Sequence, residues 1–339
     1  MNFNPNRFIL ITVLSIQSLV GWGQVQFAEL GNYTLENGQT IRDCQLGYRT
    51  FGQLNGDRSN AILFPTWYGG TSESLLSYIG PDQMLDSTQY FIIIVDAFGD
   101  GVSSSPSNSE PQPGQSFPEF SIRDMVNAQH RLLTEFLELD HLYAVTGISM
   151  GGMQTYQWMA SYPEFFDRAI PIIGSPQLTA YDRLLFKLFQ QIMEPCLETD
   201  CPDITVTTLM LEFIVGFTPQ YRVGETTPEE FPDLLATIEE VAQQCQLSDL
   251  HSQMKAIAHH DVTLEAGSLA KVAQNFQGET LTIVAQQDHM LLPTYAIELA
   301  RERDDEILLL DSDCGHYAFA CEQEKISQAV RKFLKENHI

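Results

Sequence analysis

Basic residues are scarce in this chain. Its 339 residues hold 18 Lys and Arg against 44 Asp and Glu, a formal net charge of −26. Nucleic-acid binding draws on clustered cations that neutralise phosphates, so that class of partner is excluded. Anionic membranes and polyanionic substrates are disfavoured on the same ground. Long hydrophobic runs are also lacking beyond Val20. The one early run, Phe8 to Val20, follows Arg7 and precedes Gly21-Trp22-Gly23. It is shorter than the roughly 20 apolar residues that span a bilayer. A basic start, a short apolar run and small residues at its end describe a secretory signal; a short membrane anchor is the other reading. The sequence therefore predicts a leader over 1–24 cleaved after Gly23 or Gln24, a secreted or periplasmic product, and no stable membrane insertion afterwards. No CxxC pair and no HExxH pair occurs, so neither metal nor cofactor is called for.

What is present is an alternation. Short apolar runs recur at Ala61–Phe64, Phe91–Val95, Leu142–Thr146, Ala169–Ile173, Leu281–Ala285 and Glu306–Leu310. Continuous runs of that length suit strands buried on both faces of a parallel sheet. Gln39 to Tyr48, mixed apolar and polar, reads as an antiparallel strand ahead of them. Helical stretches lie between. Ile122, Met125, Val126, Gln129, Leu132, Leu133 and Phe136 follow the 3.6 period behind a candidate N-cap, Ser121, and a last helix is expected over about Glu322–Asn337. Strand and helix in alternation predict an α/β fold with a mostly parallel sheet. About a hundred residues separate Ile173 from Leu281, far more than one crossover needs. That segment, with helical pieces at Asp182–Met193 and Pro228–Cys245, predicts a helical lid over 177–278 inserted into a core of 25–176 and 279–339. Ser103–Gln115, rich in Ser, Pro and Gly, reads as an exposed loop near the site.

The chemistry concentrates at Gly147-Ile-Ser149-Met-Gly151, a G-x-S-x-G directly after a strand and before a helix. Such an elbow lifts the serine hydroxyl above the sheet. A serine needs a base oriented by an acid, and this fold supplies them in the chain order Ser, Asp or Glu, His. Asp288 follows the run Leu281–Ala285, and His316 stands on the loop after Glu306–Leu310. Both positions lie at strand carboxyl ends, where Ser149 would stand. His259, His260 and His289 read instead as exposed polar residues, and Asp261 and Asp305 as solvated ones. A tetrahedral intermediate needs N–H donors: Met150, after the nucleophile, and one from Phe64-Pro-Thr-Trp-Tyr-Gly-Gly70. Pro65 has no N–H; Trp67 is assigned, with Tyr68 and Tyr317 as substrate contacts. Trp67 and Tyr68 merely walling the pocket is the competing reading.

Ser116-Phe-Pro-Glu-Phe-Ser-Ile-Arg-Asp-Met-Val-Asn-Ala-Gln129, Gly147-Ile-Ser-Met-Gly-Gly-Met-Gln154, Asp288-His-Met-Leu-Leu-Pro293 and Gly315-His-Tyr-Ala-Phe319 resemble the homoserine O-acetyltransferase-like branch of the α/β-hydrolase superfamily, from about Gly47 onward. The resemblance implies the α/β-hydrolase fold, the triad Ser149, Asp288 and His316, and a lid whose helices often join two copies into a homodimer. It departs in two places. The acetyltransferases carry an arginine for the amino-acid carboxylate, for which Arg183, Lys187 and Arg222 are only loose counterparts, and their oxyanion loop differs from Pro65–Gly70. Arg123 and Asp124 match the family and are read as structural.

Three functions compete: a serine ester hydrolase acting on a small-molecule ester, an O-acyltransferase moving an acyl group from acyl-CoA to an alcohol such as homoserine, and a non-catalytic binding protein. The complete Ser-His-Asp set argues against the last. Acetyl-CoA is cytosolic and polyanionic, so an exported acidic chain favours hydrolysis.

The cysteines give a further expectation. Cys196, Cys201 and Cys245 fall in the lid, and Cys44, Cys314 and Cys321 in the core. If all six are paired, odd numbers in each part force a bridge between them. Cys196–Cys201 and Cys314–Cys321 are near in sequence, which leaves Cys44 with Cys245. The other reading leaves some as free, buried thiols.

Overall fold

The computed structural model describes residues 23–199, 201 and 203–335. The expected leader lies almost wholly outside the described residues, as does the end of the last helix. Eight strands form one sheet: β1 (Gln26–Thr34), β2 (Thr40–Phe51), β3 (Ala61–Pro65), β4 (Phe91–Val95), β5 (Leu142–Ile148), β6 (Phe166–Ile172), β7 (Glu279–Ala285) and β8 (Glu306–Leu310). Their order is β1-β2-β4-β3-β5-β6-β7-β8. β2 runs antiparallel to β1 and β4, and β3 to β8 pair in parallel. The parallel strands read as unbroken apolar runs because apolar layers cover both faces of the sheet. Ile62 and Phe64 face one layer and Leu63 the other, all at 0% exposure. At about 2 kcal/mol for each buried large side chain, a slipped register here would forfeit much of the fold's stability.

Sequence reading did not find β1. Its exposed and buried residues alternate, and its pairing with β2 shifts register around Gly31, so it carries no continuous apolar run.

α1 (Ile122–Arg131) begins at Ser121 as expected. Ser121 Oγ accepts from the Asp124 N–H at 3.1 Å, and Asp124 Oδ2 accepts from the Ser121 N–H at 2.9 Å. The helix then widens into a π-turn over Leu132–Phe136. Arg123 pairs with Glu36 and Glu265, and Asp124 Oδ1 accepts from the Glu36 N–H at 2.9 Å, so both family-like residues tie α1 to its surroundings. α2 (Met150–Ser161) follows β5 and is buried along almost its whole length.

Between β6 and β7 run α3 (Ala180–Met193), α4 (Ile204–Gly216), α5 (Pro219–Glu225), α6 (Phe231–Ala242), α7 (Leu247–Ala258), α8 (Thr263–Ala266) and α9 (Leu269–Asn275). Leu209, Ile238 and Ala242 form a small apolar cluster of their own. Met254 and Ile257 of α7 and Val272 of α9 instead join the main core, so this segment is half roof and half core. α10 (Thr294–Arg303), α11 (Ala318–Cys321) and α12 (Gln323–Lys335) complete the described chain.

Cys196–Cys201 and Cys314–Cys321 are bonded, while Cys44 and Cys245 are free. The expected Cys44–Cys245 tether is therefore absent. Cys44 points from β2 into the main core at 0% exposure, and burial pushes its thiol up to about 12. Only four of the six cysteines pair, so the odd count in each part forces no bridge between them. Ser103–Ser105, expected in an exposed loop, are buried, because Ser103 Oγ donates to Asp96 O at 2.6 Å and accepts from the Gly47 N–H at 2.8 Å.

Candidate active site

The elbow is built by close approach. A Cβ on Gly147 would lie 2.1 Å from Gly151 O, and one on Gly151 would lie 2.6 Å from Pro65 O. Only glycine admits the tight turn and lets it press against the end of β3. Ser149 itself takes φ 55°, ψ −116°, a strained conformation for a side-chain-bearing residue, at about 1–3 kcal/mol. Its N–H donates to Ile172 O at 2.9 Å, which pins the turn to β6.

Three of the expected residues converge. Ser149 Oγ lies 2.8 Å from His316 Nε2, and His316 Nδ1 lies 2.7 Å from Asp288 Oδ2. Asp288 Oδ1 accepts from the N–H groups of Met290 and Leu291 at 2.8 and 2.9 Å, so each carboxylate oxygen has its own task. Asp288 and His316 are both buried. Burial disfavours the imidazolium, but the Asp288 carboxylate, its hydrogen bond and the charge of Glu212 together outweigh that, and the His316 pKa is raised.

Glu212 was not anticipated. It reaches down from α4 and accepts a hydrogen bond from the Tyr317 hydroxyl at 2.8 Å. Burial raises its carboxyl, against the lowering influence of Tyr317 and His316. The signal was there: Leu209-Met-Leu-Glu-Phe-Ile-Val215 sets a single acid in an apolar helix. A pH profile follows. His316 accepts a proton only when neutral, so turnover should fall as pH drops through its raised pKa, above the ordinary histidine value of about 6.5. Glu212→Gln removes one of the charges that raise it and should move this acid limb to lower pH. A limb left in place would remove Glu212 from the electrostatics of the base.

The oxyanion loop narrows the donor choice. The Thr66 N–H is already committed to Val95 O at 3.1 Å, and the Gly69 N–H to Gln253 Oε1 at 2.8 Å. Trp67 packs its indole against Tyr78 and Phe319. Tyr68 has a buried hydroxyl without a hydrogen-bond partner, close enough to Glu212 to feel its charge. Tyr317 stacks on Phe217 of the roof, with ring centroids 4.5 Å apart.

The roof grips both loops of the charge line. Asp182 Oδ1 of α3 accepts from the Leu292 N–H at 3.0 Å, beside the Asp288 loop. Thr218 donates to Asp313 O through its N–H at 3.2 Å and its hydroxyl at 2.7 Å, beside the His316 loop. The Cys314–Cys321 bond brackets His316.

The remaining candidates fall away from this point, three of them against expectation. The Asp261 side chain, expected to be solvated, is only 10% exposed, because it accepts from Gln177 Nε2 at 2.9 Å and from the Thr263 N–H and hydroxyl at 2.9 and 2.6 Å. His259 and His289 are exposed, but His260 is buried and burial pushes it down to about 4. Asp305 forms a buried ion pair with Arg303 at 2.7 Å, where a solvated carboxylate was expected. Among the described residues, no His, Cys, Asp or Glu cluster fit to hold a metal occurs. Arg183 and Lys187 pair with Asp261 and Glu194 on the outside of α3. Only Arg222 touches the aromatic wall, its guanidinium 5.0 Å from the Phe217 ring centre.

The family described as alpha/beta hydrolase fold matches residues 62–205. An acetylester hydrolase of known structure from Corynebacterium glutamicum matches 92% of this chain and 96% of its own, with TM-score 0.86 and 28% identity. The chain has the α/β-hydrolase fold. Within this fold it is similar to esterases and to homoserine O-acetyltransferases. The ethyl acetate hydrolase of Pseudomonas veronii is 41% identical over 180 residues, 52% of this chain and 50% of that one. The chain thus spans about half the length of that curated esterase. The homoserine O-acetyltransferase of Methanococcoides burtonii is 26% identical over 91% of this chain and 73% of its own. The resemblance to the homoserine O-acetyltransferase-like branch of the α/β hydrolases therefore holds well beyond the quoted motifs.

Proposed function

We propose that this chain is an exported serine hydrolase that cleaves a carboxylic ester of a short acyl group. The observation that carries the reading is the unbroken line from Ser149 Oγ through His316 to Asp288, at 2.8 and 2.7 Å. In the first half-reaction His316 Nε2 takes the Ser149 proton as Oγ attacks the ester carbonyl. Negative charge gathers on the carbonyl oxygen, where the Met150 and Trp67 N–H groups stabilise it. His316 then gives its proton to the leaving alcohol, and the acyl group remains on Ser149. Water, deprotonated by the same imidazole, attacks this acyl-enzyme and releases the acid. Asp288 holds the ring and balances the imidazolium at each stage. What supports a short acyl group is that two of the hydrolase relatives are named for acetyl ester and ethyl acetate substrates.

The second reading is an O-acyltransferase in which an alcohol replaces water. The long alignment with the homoserine O-acetyltransferase favours it, as does Arg222, whose guanidinium lies 5.0 Å from the Phe217 ring centre beside Tyr317. A net charge of −26 and the expected leader weigh against a polyanionic, cytosolic donor. Purified protein assayed with p-nitrophenyl acetate, beside acetyl-CoA plus homoserine, separates the two. Ester turnover without thiol release is expected; thiol release that depends on homoserine, without ester turnover, would replace the hydrolase reading. Absence of both would leave a binding protein.

A further inference from the structure

Beneath the elbow lies a polar chain to which the reaction scheme gives no task. Gln129 of α1, and Gln154 and Trp158 of α2, are all at 0% exposure within the main core. Trp158 Nε1 donates to Gln129 Oε1 at 2.9 Å, and Gln129 Nε2 donates to Gln154 Oε1 at 2.5 Å. Gln154 Nε2 then donates to Thr66 O at 3.0 Å and to Met150 O at 3.3 Å.

The direction of this chain is set from one end. An indole N–H can only donate, so Gln129 must turn its oxygen to Trp158 and its nitrogen to Gln154. Gln154 must then turn its own oxygen to Gln129, which leaves both of its N–H bonds for the two carbonyls. Neither carbonyl is arbitrary. In a planar trans peptide the C=O and the following N–H point in opposite directions. Drawing Thr66 O toward Gln154 therefore turns the Trp67 N–H to the far side. Met150 opens α2, and within a helix a residue's N–H points toward the N-terminus and its C=O away from it. Drawing Met150 O inward leaves the Met150 N–H facing the end of the helix where Ser149 stands.

We propose that Gln154, held in one orientation by Trp158 through Gln129, is the positioning residue that aims both oxyanion donors. The inference rests on the assignment of Met150 and Trp67 as those donors. Donors aimed at a developing charge act on the transition state and little on bound substrate. The signature of the relay is thus a fall in kcat with KM held, which loss of packing alone would not produce.

The test compares wild type, Gln154→Met and Trp158→Phe, each first checked for a cooperative unfolding transition. Steady-state hydrolysis of p-nitrophenyl acetate gives kcat and KM. An aryl trifluoromethyl ketone gives affinity for a stable oxyanion: Ser149 Oγ bonds to its carbonyl carbon, the π electrons pass to oxygen, and the proton passes to His316. For Gln154→Met we expect kcat to fall about 10²–10³-fold, the loss typical of one oxyanion donor, with a comparable loss of ketone affinity and KM within about threefold. Trp158→Phe keeps the donor but frees its orientation, and about a tenfold fall in kcat is expected. A Gln154→Met enzyme that folds and keeps wild-type kcat and ketone affinity would overturn the proposal, as would a change confined to KM. If Gln154→Met does not fold, Trp158→Phe decides, and an unchanged kcat there overturns it. A wild type that hydrolyses esters but is indifferent to the ketone would remove the donor assignment and the relay together. A wild type that acetylates homoserine instead would fail only the hydrolase reading, and the same kcat and KM comparison is then made on that reaction.

Discussion

Ser149→Ala is expected to lower kcat on p-nitrophenyl acetate by about 10⁶-fold while the unfolding midpoint stays close to wild type. Removal of the nucleophile from a serine-histidine-aspartate set has an effect of that size, because the residual rate comes only from binding and the oxyanion donors. The fold should tolerate the change. Alanine meets the same backbone strain at φ 55° as serine, and the substitution gives up only the 2.8 Å contact to His316. The Ser149 N–H bond to Ile172 O belongs to the backbone and stays. Retention of kcat within tenfold of wild type would show that the acyl group never resides on this residue.

Asp288→Asn is expected to lower kcat about 10⁴-fold with little change in KM, through the wrong histidine tautomer. The geometry gives the reason. Oδ1 accepts from the Met290 and Leu291 N–H groups, so an asparagine must keep its oxygen there. Its NH₂ then faces His316 Nδ1, which has to become an acceptor. The ring proton moves to Nε2, the atom that should receive the Ser149 proton, and the base is disabled without being displaced. The dependence of kcat on pH distinguishes this from simple loss of charge. With the right tautomer, loss of the carboxylate charge would only lower the His316 pKa and move the acid limb to lower pH, so a near-normal kcat on the plateau would mean that the asparagine had flipped.

The parallel core and the three converging residues were legible because the physics that creates them is local. A strand buried on both faces must be apolar throughout, and a strand-to-helix elbow must be glycine-rich where Gly147 and Gly151 meet backbone. Asp288 and His316 followed from chain order and from their place on loops at strand carboxyl ends. β1 was hidden because it is half polar and its register with β2 shifts twice around Gly31, which breaks the alternation that made β2 legible. Glu212 was missed because its role depends on which way α4 faces, a tertiary matter that helix periodicity does not settle. The cysteine pairing succeeded for the two pairs near in sequence and failed for Cys44, whose partner was inferred by elimination and whose β2 position faces the core. His260, Asp261 and Asp305 misled similarly, since a polar residue type gives no warning of its own burial.

Asp182 and Thr218 make the roof a participant in the chemistry below it. For evolution and for engineering, that limits the roof's use as an exchangeable cassette. A segment transplanted from a relative would have to bring its own anchors to the Leu292 and Asp313 backbones, or it would loosen the acid and base loops while it changed the pocket. New specificity is more accessible by single replacements at positions such as Phe213 and Phe217, which face the site's rings and hold neither loop by a hydrogen bond. Diversification around this elbow is thus steered toward repainting the walls with the beams left in place.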